Sequence, residues 1–108
     1  MPPLTIFQGD THPLITATLT YGANAPIYLQ DCRVVFCMES EDRTVLNEGE
    51  CKIVNAHTGE VTYQFKPNDT AKPGKYLCSF RILYDDGRVV TVPNSGYIEI
   101  IIYRALKR

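Results

Sequence analysis

Two histidines, four cysteines and a few acidic clusters are the residues of this chain whose types suit chemistry. His12 precedes Pro13 at the head of an alternating apolar run, and His57 stands in a turn beside Thr58 and Gly59. A histidine becomes a general base when a nucleophile lies within reach, and no Ser or Cys elbow motif supplies one. Both read as solvated loop histidines. Carboxylates gather at Glu39 to Asp42, at Glu48 to Glu50 and at Asp85-Asp86. Acid–base work needs a carboxyl pair in one cleft with pKa values pushed apart. These clusters fall in predicted turns, where a solvated face is expected. Asp85-Asp86 offers oxygens to calcium but falls short of a full shell. Cys32, Cys37, Cys51 and Cys78 form no Cys-x-x-Cys pair, and none has metal-ligand spacing to His12 or His57. They read as small buried hydrophobes with one or two exposed thiols. A Cys32–Cys78 bridge across two sheets is the alternative. Every glycine is an isolated turn residue, so no phosphate-binding loop appears. The expectation is a non-enzymatic chain without metal or cofactor.

The elements that would position any site are read from alternation. Lys75 to Tyr84, the turn Asp85-Asp86-Gly87 and Arg88 to Val92 predict a hairpin. Asp-Gly between two β-rich runs is a strong turn signal, because Gly takes the positive φ that such turns need. Side chains alternate between the faces of a strand. Tyr76, Cys78, Phe80, Ile82 and Tyr84 therefore share the main apolar stripe, expected over the core. Leu4 to Gln8 predicts a first strand. Pro13 to Thr20 predicts a second, with Ile15, Ala17 and Leu19 on one side and threonines on the other. Ile27 to Leu29 reads as a brief extended piece. Arg33 to Met38 predicts a firm strand with Val34, Phe36 and Met38 inward. Thr44 to Leu46 is a short candidate edge strand. Cys51 to Val54 and Val61 to Phe65 predict a second hairpin, with Val61, Tyr63 and Phe65 inward. Lys66 to Lys72 is polar, with a helical turn at Asn68 to Lys72 as an alternative. Pro93 to Gly96 is a break, and Tyr97 to Tyr103 is the last strand. Residues 1–103 then form one domain, followed by a basic tail at 104–108.

About eight short strands with frequent turns predict an all-β antiparallel β-sandwich. Tyr76 lies two residues before Cys78 and follows a polar turn carrying Asp69. That is the spacing of a tyrosine corner, so the sandwich is expected to be immunoglobulin-like. The chain has no Trp, so the antibody-type Cys–Trp–Cys core is absent.

Bulk properties narrow the partners. A chain of 108 residues is one domain. Such a chain buries roughly 65% of its unfolded surface, enough for a core without staples. A net charge of -1 creates no broad field towards nucleic acid or an anionic membrane. No apolar run approaches the roughly 20 residues of a membrane span. Met1-Pro2-Pro3-Leu4 lacks the basic start and apolar stretch of a secretory leader, so cytoplasmic synthesis is expected. Tyr21, Tyr28, Tyr97 and Tyr103 are not accounted for by the core. If Tyr21, Tyr28 and Tyr97 shared one groove, a carbohydrate would suit it, and an adhesion or carbohydrate-binding module is the alternative function. In the predicted sandwich, Val35, Leu77 and Leu83 face outward from one sheet, joined by Ile101 and Tyr103 if the last strand enters it. A water-facing sheet face should be polar. These five residues are the expected protein–protein contact surface.

The ordered set also resembles a known family. The order is Gln8-Gly9-Asp10-Thr11, then Val34 to Met38, Gly59-Glu60-Val61-Thr62-Tyr63, Pro73-Gly74-Lys75-Tyr76 with Phe80, and Asp86-Gly87. The closing run is Val92-Pro93-Asn94-Ser95-Gly96-Tyr97-Ile98-Glu99-Ile100. This resembles the N-terminal immunoglobulin-like domain of phage baseplate upper proteins and related small tail or neck proteins. The resemblance implies a structural module of the virion, docked on other virion proteins in several copies. It implies assembly in the host cytoplasm, where free cysteines persist, and it carries over no catalytic residues.

Overall fold

The computed structural model describes residues 4–12, 14–21, 25–44, 46–93 and 97–106. Among them are eleven short strands: β1 (Leu4–Phe7), β2 (Leu14–Thr18), β3 (Thr20–Tyr21), β4 (Ala25–Pro26), β5 (Arg33–Ser40), β6 (Leu46–Glu50), β7 (Lys52–Asn55), β8 (Glu60–Gln64), β9 (Gly74–Leu83), β10 (Val89–Val92) and β11 (Ile98–Tyr103). One turn of 3-10 helix covers Pro67–Asp69. The architecture is an all-β sandwich. Its larger sheet runs β1-β11-β9-β5-β6, with β10 also on β9. Its smaller sheet runs β2-β8-β7, and β3 and β4 form a separate ribbon.

β9 is the central strand, as its apolar stripe predicts. β5 lies along one side, from Arg33↔Leu83 to Ser40↔Tyr76. The other side is shared: β11 pairs with the first half of β9 and β10 with the second. The return strand is thus broken between Val92, opposite Phe80, and Ile98, opposite Cys78. The sheet is not purely antiparallel as expected, because β1 runs parallel to β11. Both side seams are crossed by continuous chain. β6 passes through Cys51 into β7 of the other sheet, and residues 8–12 lead from β1 towards β2.

Tyr76, Cys78, Phe80 and Ile82 are all buried, and Tyr84, at the hairpin end, is half-buried. Val34, Phe36 and Met38 lie beside them on β5, and Val61 and Tyr63 face them from the smaller sheet, with Phe65 just past β8. Phe36 joins the layers. Its ring stacks on Tyr63 at 4.6 Å, meets Phe80 at 5.3 Å and takes Phe65 edge-on at 6.4 Å. Gly49, opposite Phe36 on β6, makes room for this stack. A Cβ at Gly49 would come within 2.5 Å of the Tyr63 ring.

The loop before β9 is fixed by buried polar bonds. Tyr63 Oη donates to Asp69 Oδ2 at 2.5 Å, and the Lys66 backbone N–H donates to the same oxygen at 2.9 Å. Thr70 Oγ1 donates to the Asp10 carbonyl at 3.0 Å, tying in the segment after β1. Tyr76 Oη donates to the Lys72 carbonyl at 2.6 Å. A tyrosine hydroxyl returning to backbone a few residues upstream is the corner that the Tyr76–Cys78 spacing predicts.

Three local expectations change. The edge strand expected at Thr44 to Leu46 lies instead at Leu46–Glu50, and Val45 falls outside the described residues. Glu48 and Glu50 are strand residues there, not turn residues, because β5 offers them a pairing edge, with Arg81 and Arg33 meeting their carboxylates across the sheet. Ile27 to Leu29 pairs with no strand among the described residues. Its backbone is held singly, Ile27 N–H to the Leu19 carbonyl at 3.0 Å and Leu29 N–H to the Ala56 carbonyl at 2.9 Å. The helical turn weighed for Asn68 to Lys72 occurs one residue earlier, at Pro67–Asp69. Pro13, Gly22 to Asn24 and the break at Asn94 to Gly96 lie outside the described residues.

Candidate docking surface

The groups with chemical potential stay apart. His12 and His57 are exposed, and the His57 ring lies 5.3 Å from that of Tyr28. Among the described residues, no cluster of three His, Cys, Asp or Glu side chains could hold a metal ion. Asp42 is a turn carboxylate that accepts from Ser40 Oγ, Thr44 Oγ1 and Thr44 N–H. Those three donors hold its pKa far below the usual carboxylate range. Asp86 is bound by the Arg88 backbone N–H and guanidinium, which lower its pKa, the backbone bond first. Tyr28 lies tilted at 47° against His57, while Tyr97 lines grooves beside Leu77 and beside Val92. The Tyr21 side chain is outside the described set.

All four cysteines are free, so the Cys32–Cys78 bridge does not form. Cys51 and Cys78 are buried, and burial pushes both thiols up to about 12. Cys32 and Cys37 are half-buried and also raised, again through desolvation first. Thiolate is the reacting form. At pH 8 a disulfide reagent such as Ellman's is therefore expected to modify two thiols of the folded protein, slowly, and all four in guanidinium. Four modified thiols without denaturant would contradict this packing. Alkali acts in the same sense. A raised folded-state pKa means that the unfolded chain loses its proton first. Stability is therefore full below pH about 9 and falls as pH rises towards 12.

The outward face of the larger sheet is where surface chemistry concentrates. Val35, Leu77, Leu83 and Ile101 all sit on it, half-buried, and Tyr103 is exposed at its β11 end. They do not form one unbroken patch. Val35 lies between Arg81 and Glu50, and Leu77 between Glu39 and Glu99. Leu83 lies between Arg33 and Val89. Ile101 lies between Lys75 and Thr5, and Tyr103 pairs with Phe7, their ring centroids 5.9 Å apart. Ion pairs run between these residues. Arg33 meets Glu50 at 2.6 Å and Arg81 meets Glu48 at 3.2 Å. Lys75 reaches Glu41 at 3.5 Å and Glu99 at 3.6 Å. All are largely exposed, so each contributes little to stability. Their aliphatic stems cover part of the apolar residues beside them. This interleaving was missed from sequence because Glu48 and Glu50 were placed in a turn. The sheet end bearing Phe7, Tyr103 and the exposed Leu106 is the more openly apolar part.

A sandwich whose exposed chemistry is a mixed apolar and ion-paired sheet face suits contact with other proteins. Comparison with known proteins gives this a context. The model of the BppU N-terminal domain, the N-terminal domain of baseplate upper proteins, matches residues 4–97. The chain belongs to this family. The BppU N-terminal domain is a structural domain of the phage baseplate, so this chain is part of a virion and works among other phage proteins. No match is found among curated proteins. Among solved structures, the fold is similar to that of CopC from Methylosinus trichosporium OB3b. The TM-score is 0.55 at 17% identity, over 98% of this chain and 88% of CopC. At that identity the likeness speaks for the fold alone.

Proposed function

We propose that this BppU N-terminal domain is a non-enzymatic structural module that docks in the tail, baseplate or neck through the outward face of its larger sheet. It is assembled in the host cytoplasm in several copies per particle. The observation that carries the reading is that face itself. Val35, Leu77, Leu83 and Ile101 stand on the side of a sheet that faces water in a monomer, with Tyr103 beside them. Sheet faces exposed for good are polar, and here half-buried apolar side chains alternate with ion pairs, the mixed character of a protein contact face. The framework behind this face reads as immunoglobulin-like. The parallel β1–β11 pair, the β2-β8-β7 sheet and the Tyr76 corner support that reading.

Leu83→Glu with Ile101→Glu tests it. The double variant is expected to remain a folded monomer by circular dichroism and light scattering, yet to be lost from assembled particles. Tyr103→Glu provides a milder arm, since that side chain is 50% exposed and its change leaves the core untouched. It is expected to lower incorporation at least severalfold. Normal incorporation of both folded variants would reject this surface.

A further inference from the structure

The outward face also holds a shallow groove of about 290 Å3. Cys37, Leu77 and Ser79 form its floor, and Leu46 and Tyr97 stand at its sides. Glu39 lies within it. In the strand register its neighbour on β6 is Leu46 and its neighbour on β9 is Leu77. The other carboxylates bordering the groove each have a cation. Glu41 and Glu99 share Lys75, and Glu48 holds Arg81. Glu39 has no such partner among the described residues. Arg43 also lines the groove. The local charges are therefore Glu39, Glu41, Glu48 and Glu99 against Arg43, Lys75 and Arg81. The surplus is one negative charge: Glu41 and Glu99 divide one lysine between them, and among the described residues the groove's Glu39 and Arg43 are both without an ion pair.

This arrangement selects its occupant. Glu39 is a half-buried carboxylate with a leucine on either side, and an incoming cation would find it without an ion-pair partner. Leu46 and Leu77 suit an aliphatic stem, and the exposed Tyr97 ring offers its face to a charged head. Small-molecule pockets span roughly 300–1,000 Å3, so a groove of about 290 Å3 suits one long side chain rather than a larger ligand. Resting on the docking reading above, we propose that this groove receives a lysine or arginine side chain from another virion protein. Glu39 is its counter-ion and Tyr97 its aromatic wall. The contact orients the partner on the sheet face, while the apolar residues around it supply most of the buried area.

The folded, 15N-labelled protein can be titrated with Nα-acetyl-arginine methylamide, its lysine counterpart and the neutral Nα-acetyl-glutamine methylamide. The two cationic probes are expected to shift the amides of Cys37, Leu77 and Ser79 saturably, and the neutral probe is not. Glu39→Gln should weaken binding at least tenfold, Tyr97→Ala a few-fold, and about 0.3 M salt should weaken it further. Equal shifts from the neutral probe, or unchanged binding by Glu39→Gln, would overturn the proposal. A concentration-dependent self-association that Glu39→Gln removes would also overturn it, by making a second copy the occupant. The two readings fail separately. If the Leu83/Ile101 variant assembles normally, the docking face is wrong. If that variant fails to assemble while Glu39→Gln assembles at wild-type affinity, only the groove is wrong.

Discussion

Phe36→Ala is expected to destabilise the domain by about 3–5 kcal/mol, the usual cost of truncating a fully buried Phe. The side chain is 1% exposed, so the transfer loss is nearly complete. The cavity cannot close easily, because three further aromatic rings surround the site and come from both layers. Tyr63 stacks at 4.6 Å from the smaller sheet, Phe80 lies at 5.3 Å on β9, and Phe65 is edge-on at 6.4 Å. Each aromatic pair adds about 0.5–1.5 kcal/mol beyond area burial. Tyr63 is further restrained by its bond to Asp69 and by Gly49 above its ring, so it cannot swing into the void. In thermal unfolding the loss corresponds to a fall in Tm on the order of 15 °C. Phe36→Leu, which keeps much of the volume, should recover more than half of it. A fall of less than 1 kcal/mol for the alanine variant would mean that the two layers are not joined through this ring.

The hairpin around β9 was legible because its determinants are local. Alternation from Tyr76 to Ile82 fixes the inward face, and Asp86-Gly87 fixes the turn. The β7–β8 hairpin was legible for the same reason. β6 was not. Asn47, Glu48, Gly49 and Glu50 have poor strand propensity and no apolar alternation. They become a strand because β5 offers an edge and because Tyr63 leaves no space for a Cβ at Gly49, while Arg33 and Arg81 meet the two carboxylates at the surface. Each cause lies far away along the chain. The parallel pairing of β1 on β11 joins segments far apart in the sequence and leaves no local mark either. The five residues proposed for docking fall on the outward face of the larger sheet, as alternation within an immunoglobulin-like sheet order predicts. The charges that separate them were not foreseen, because their strand was misplaced. For Asp69, the polar stretch from Lys66 to Lys72 suggests a wet loop. Its burial depends on the Tyr63 hydroxyl arriving from β8.

Asp69→Ala is accordingly expected to cost about 2–4 kcal/mol, far more than a loop substitution usually does. The carboxylate is 4% exposed and accepts two donors at once, Tyr63 Oη at 2.5 Å and Lys66 N–H at 2.9 Å. Removing it strands a buried hydroxyl and frees the start of the 3-10 turn, and each buried donor left unsatisfied costs about 1–3 kcal/mol. Tyr63→Phe should cost less, about 1–2 kcal/mol, because Asp69 keeps Lys66 N–H and only one bond is lost. The double variant should fall short of the sum by about 1 kcal/mol, since the second change removes a partner already gone. Titration separates this bond from simple packing. Desolvation, then the bond to Asp69, hold the Tyr63 hydroxyl well above its usual value of 10.0. The unfolded chain therefore ionises first, and the stability that this group supplies is full below pH about 10 and declines above it. Denaturant melts above that pH should show a smaller alkaline loss in Tyr63→Phe than in the wild type, with Cys51 and Cys78 adding a loss of their own to both. Strictly additive variants with the same alkaline slope would show that the loop is held by packing, with the Tyr63–Asp69 bond incidental to it.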